Sequence, residues 1–122
     1  MALGISTACL YPMAMEDSLQ TLIDSGFREF EIFINTYSEM EPEFLTLLEE
    51  KLTPQGCRVK SLHPFTSGFE SYLLFSNYER RFQDGASFYR RYFEMARRLG
   101  AEILVIHGDR SFEKSGLNDR EY

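Results

Sequence analysis

The sequence predicts an α/β half-barrel of about four parallel strands with three to four helices, and three observations predict it. Gly26, Gly56 and Gly100 each close a helical pattern and are followed at once by an apolar run. A glycine in that position supplies the left-handed cap that returns the chain to a strand. These glycines recur at the spacing of βα units, with an insertion of about a dozen residues in the third, and repeated βα units imply parallel strands with right-handed crossovers. Two of the runs, Val59-Lys60-Ser61-Leu62-His63-Pro64-Phe65 and Ile103-Leu104-Val105-Ile106-His107-Gly108-Asp109, end in a histidine. The carboxyl end of a parallel strand is the edge where α/β folds hold ligands and metals. At 122 residues the chain reads as a single partial domain, well below the ~250 residues of an eight-stranded barrel. Half of a barrel describes it better than a free-standing sheet, whose apolar strands would need cover on both faces.

The first strand is expected over residues 3–9, stopped by Tyr11-Pro12. A helix follows over 16–25, with Leu19, Leu22 and Ile23 on one face and Glu16 and Asp17 complementing the dipole of its first turn. The second strand covers 27–34. Pro42 suits the first position of the next helix, where a missing N–H costs nothing; Phe44, Leu45, Leu48 and Leu52 form its stripe, and Pro54 ends it. The third strand covers 57–65. The third helix is expected over 86–99, burying Phe88, Tyr92, Met95, Ala96 and Leu99 and leaving Arg90, Arg91, Arg97 and Arg98 largely on the other side. The fourth strand covers 101–106. Between the third strand and its helix, residues 66–85 carry Phe69, Tyr72, Leu73, Leu74, Phe75, Tyr78 and Phe82. That aromatic density exceeds what a solvated loop needs, and predicts a short helix over the carboxyl edge, as a lid, as extra core, or as an oligomer contact.

Composition narrows the function. A net charge of -6 and a pI near 4.9 argue against a bare electrostatic grip on nucleic acid, which depends on clustered Lys and Arg. A small polar substrate fits better. Cys9 and Cys57 lack the spacing of a zinc ribbon or a thioredoxin motif and read as reduced, buried residues of a cytoplasmic protein. No signal peptide and no stretch of ~18 apolar residues is present, so no membrane is implied. Triad orders, phosphate-cradling glycine loops and dinucleotide fingerprints are also missing.

The chemistry-bearing residues are few. Neutral imidazole ligates Zn²⁺ and also suits Mn²⁺, Fe²⁺ and Co²⁺, so His63 and His107 at matching strand ends supply two metal ligands, or else each hydrogen-bonds a neighbour or contacts a substrate hydroxyl. Glu31 and Glu29 share the strand face opposite Phe30 and Ile32. An inward carboxylate is costly unless paired, which makes Glu31 a candidate pocket carboxylate, or else the partner of an arginine. Asp109 follows His107 where loop residues bind substrate or orient a ligating imidazole, or where a carboxylate caps the next helix.

These residues, in this order, resemble the N-terminal half of the xylose isomerase-like TIM-barrel superfamily. The likeness is carried by His63-Pro64-Phe65, Ala96-Arg97-Arg98-Leu99-Gly100-Ala101, Val105-Ile106-His107-Gly108 and the second-strand pattern Gly26-Phe27-Arg28-Glu29-Phe30-Glu31-Ile32. It implies a divalent metal (Mn, Zn, Mg or Co) at the carboxyl end of the complete barrel and a small sugar or sugar phosphate as substrate. In the sugar isomerase and epimerase branch the principal metal ligands come from later strands, so this chain alone would be inactive. In the apurinic endonuclease branch the histidines ending strands three and four bind metal, which implies that role for His63 and His107. The acidic charge favours the isomerase branch. Closing such a half-barrel would take a second copy or a complementary half, and a non-catalytic interaction module is the remaining alternative.

Overall fold

Each return from helix to strand runs through a glycine in the left-handed region: φ is 101° at Gly26, 65° at Gly56 and 75° at Gly100. The computed structural model describes residues 3–108. Four strands, β1 (Gly4–Ser6), β2 (Glu29–Phe33), β3 (Arg58–His63) and β4 (Ile103–Leu104), form one parallel sheet in the order β1-β2-β3-β4. Helices α1 (Met15–Asp24), α2 (Pro42–Leu52) and α3 (Glu79–Leu99) fill the three connections, with 3₁₀ turns at Thr7–Leu10, Tyr37–Met40, Thr53–Gln55 and Ser67–Tyr72.

The helices cover one face of the sheet. Phe30 and Ile32 of β2 and Val59 and Leu62 of β3 are buried in a single core with Leu19, Leu22, Leu45, Leu48, Tyr92 and Met95. Glu29, Glu31, Phe33, Lys60, Ser61 and His63 lie only partly covered. Sequential strand order with a single helical layer is the arrangement of half a (β/α) barrel; a doubly wound sheet reverses its order and carries helices on both faces. No helix among the described residues is long and apolar enough to cross a membrane.

Three expectations need correction. β1 stops at Ser6, because the Ser6 hydroxyl accepts the Ala8 N–H at 3.1 Å and starts a 3₁₀ turn. Cys9 therefore sits exposed in that turn, and Cys57 is only half-buried. The third helix begins at Glu79, so Gly85 lies inside it rather than in the loop. Its buried stripe is Gly85, Tyr89, Tyr92, Met95 and Ala96, with Phe88 packed at the margin. The short helix expected after β3 is present as the 3₁₀ helix Ser67–Tyr72; Leu73 and Leu74 pack against the core, while Phe69, Phe75, Tyr78 and Phe82 remain exposed.

Candidate functional site

A break in strand alternation aims His63. In the β2–β3 register Phe30 faces Val59 but Glu31 faces Ser61, so β3 carries one extra residue at Lys60. A one-residue shift exchanges the two faces of a strand. Without that bulge, alternation from the buried Val59 would send Leu62 outward and His63 into the core; with it, Leu62 is buried and His63 stands on the open face. Phe33 is opposite His63 in the register, and the two rings stack with centroids 4.6 Å apart.

His107 follows β4 and meets His63 edge-on. The ring planes are 85° apart and the two Nε2 atoms lie at 2.9 Å. His63 Nδ1 is 3.1 Å from the Pro64 carbonyl oxygen. A carbonyl can only accept, so Nδ1 carries the proton and Nε2 presents its lone pair toward His107. As a hydrogen bond, the pair needs His107 Nε2 to donate. As ligands, both lone pairs turn toward one point. Two nitrogens about 2.1 Å from one ion lie about 3.0 Å apart at a right angle and about 3.4 Å apart in a tetrahedron. The observed spacing is close to the separation of neighbouring positions on an octahedral ion, where His107 Nε2 would have to give up the proton of the hydrogen bond, and the Pro64 carbonyl is placed as an outer partner of such an imidazole would be. Among the described residues no group of three or more His, Cys, Asp or Glu side chains could hold a metal, so a full coordination sphere needs further donors.

The other expected residues are placed differently. Glu31 stands on the open face two residues before the end of β2, and its Oε2 accepts from the Ser61 hydroxyl at 2.7 Å rather than from an arginine or a histidine. Asp109 lies outside the described residues. Beside the histidines, a cleft of about 400 Å³ is lined by Ala8, Tyr11, Phe33, Asn35 and Phe65. It opens at the carboxyl ends of β1, β2 and β3, and Phe33 joins it to His63.

Glu70 is the functional candidate that sequence reading missed. It is 1% exposed in the 3₁₀ turn after β3. Its Oε2 accepts the Gly108 backbone N–H at 2.8 Å, and its Oε1 accepts the Tyr89 hydroxyl at 3.3 Å. Thr66 Oγ1 donates to Tyr89 at 3.2 Å. Since that uses its one proton, Tyr92 donates to Thr66, at 2.9 Å. The chain Tyr92, Thr66, Tyr89, Glu70 thus runs one way and ends on a carboxylate. Burial pushes the Tyr89 phenol up to about 12, with the Glu70 charge adding to it, and burial raises Tyr92 as well. The signal available in the sequence was a single acid between residues 66 and 78, set among aromatics.

No family model matches the chain, and no curated protein matches it. Function is therefore read from the geometry of the strand edge.

Proposed function

We propose that the chain forms part of a divalent-metal-dependent isomerase or epimerase acting on a small sugar or sugar phosphate, with His63 and His107 as its contribution to the metal site. The observation that carries this reading is the convergence of two Nε2 atoms from adjacent strand ends, one with its tautomer set by a backbone carbonyl. A bound Mn²⁺, Zn²⁺, Mg²⁺ or Co²⁺ ion would polarise a substrate carbonyl and its neighbouring hydroxyl. The neighbouring residues do the rest of what this half can do. Phe33 and Phe65 present apolar surface to a substrate in the adjoining cleft, Asn35 offers a polar group there, and the aromatic segment after β3 limits access of water. Proton transfer at carbon needs a carboxylate within reach of the substrate. Glu31, engaged by Ser61 lower on the strand, lines the floor of the open face, so that carboxylate comes from strands that complete the barrel.

Completion would come from a second copy or a complementary half, in keeping with a sheet whose outer strands β1 and β4, among the described residues, each pair on one side. The proposed compartment is the cytoplasm, where Cys9 and Cys57 stay reduced.

A second reading, a metal-dependent phosphodiesterase of the apurinic endonuclease type, is favoured by the same histidines acting as direct ligands. The net charge of -6 weighs against it. Assaying the protein in its native assembly with Mn²⁺, against a panel of ketoses and against abasic DNA, separates the two. Sugar turnover without DNA cleavage is expected; cleavage of abasic DNA with no sugar turnover would overturn the isomerase reading.

A further inference from the structure

We infer that Glu70 is a positioning residue, which acts through the backbone of Gly108 to hold His107 against His63; the inference rests on reading the two histidines as one site. A carboxylate that is 1% exposed is retained only where its partners offset the loss of water. One partner here is the N–H of the residue that follows His107. Gly108 takes a φ of 83°, so the chain turns sharply just after the imidazole. Past the ladder bond from Val105 N–H to the Leu62 carbonyl at 2.9 Å, the end of this strand is tied at Gly108, and the tie is to Glu70.

The carboxylate is itself fixed from the other side. Tyr89 and Tyr92 belong to α3 and are 2% and 0% exposed; Tyr89 donates to Glu70 directly, and Tyr92 is linked to it through Thr66 and Tyr89. The connection leaving β3 just after His63 therefore reaches across to the turn leaving β4 just after His107. The two histidines are held separately: His63 by the strand bulge and the Pro64 carbonyl, and His107 by the Glu70 bond to the residue after it. Such outer hydrogen bonds govern metal affinity without touching the ion.

The test compares the unmodified protein with Glu70→Ala and Glu70→Gln. In Glu70→Gln the amide oxygen can take the Gly108 N–H while its NH₂ donates to Tyr89, with the hydroxyl chain reversed so that Tyr89 donates to Thr66 and Thr66 to Tyr92; the tie to Gly108 is thereby kept. Three readouts are needed: Gly108 amide hydrogen exchange, the ring-to-ring nuclear Overhauser effect between His63 and His107, and the affinity for Co²⁺ alone. In Glu70→Ala the expected result is Gly108 exchange faster by tenfold or more, loss of the ring contact and Co²⁺ affinity about 10–100-fold weaker, with cooperative unfolding retained. Glu70→Gln should restore all three. A folded Glu70→Ala that keeps the ring contact and Gly108 protection would overturn the inference. So would an unprotected Gly108 amide in the unmodified protein, a measurement that decides the matter even where Glu70→Ala does not fold. If the unmodified protein binds no Co²⁺, the metal reading fails, while exchange and the ring contact still decide the role of Glu70.

Discussion

His63 is useful because of Lys60. The apolar residues Val59 and Leu62 are three apart, an interval that regular alternation cannot bury on one face, and the extra residue between them turns the imidazole outward. The histidines were legible in the sequence because each ends an apolar run, and a strand's carboxyl end is a known position for ligands. Their 2.9 Å approach was not legible, since it depends on a register shift and on a distant carboxylate. Glu70 stayed hidden because an acid in a loop is ordinarily solvated, and only the Tyr89 and Gly108 partners make its burial tolerable. The tyrosine network carries a testable pH dependence. Tyr89 is pushed above the usual phenol value of 10, to about 12. The folded state therefore favours the protonated ring; that contribution is complete below pH 10 and is lost as pH rises through 12, amounting to roughly 2–3 kcal/mol. Urea unfolding at successive pH values should show stability falling more steeply over this window in the unmodified protein than in Tyr89→Phe. Equal slopes would remove Tyr89 from the account.

At the scale of elements, the sequence marked where helices end better than where they begin. The glycine caps and Pro42 have single conformational meanings, whereas the start of α3 at Glu79 is marked by no capping side chain. Gly85 reads as a loop residue by propensity, yet it is buried inside α3. A Cβ there would lie 2.9 Å from Leu73 Cβ and 3.0 Å from the Leu73 backbone. The 66–78 connection can thus lie against the helix only because Gly85 has no side chain, and this approach brings Glu70 to Tyr89. Alanine normally stabilises a helix by about 1 kcal/mol relative to glycine. Gly85→Ala is expected to do the opposite, with a net loss of about 1–3 kcal/mol from overpacking, measured by thermal or urea unfolding. A gain in stability would show that the connection is free to move aside. By contrast Arg98, which clasps α2 through Glu49, Thr46 and the Pro42 carbonyl, is largely exposed, and Arg98→Ala should cost no more than about 1 kcal/mol.

For the whole molecule, the parallel order and the half-barrel class followed from repeated βα units, and the chemical character of the uncovered face followed only in part. Alternation put Glu29, Glu31 and Lys60 on it, and the bulge adds Ser61 and His63 in place of Leu62, so this surface is more polar than a run of apolar strands implies. Among the described residues its outer strands β1 and β4 each pair on one side only, and Ile103 on β4 is 57% exposed. Such edges favour pairing with another chain. Analytical ultracentrifugation should therefore detect a dimer or larger assembly at high concentration; a monomer at every concentration would contradict a barrel completed between chains. The central claim is that the two strand-end imidazoles are ligands of one metal ion. The chain contains 2 histidines, so His63→Ala combined with His107→Ala removes every imidazole. Calorimetric titration with Zn²⁺ and with Mn²⁺ tests the claim most directly. Weak binding is expected in the unmodified protein, reduced in each single variant and absent in the double variant, whereas unchanged binding in the double variant would contradict it.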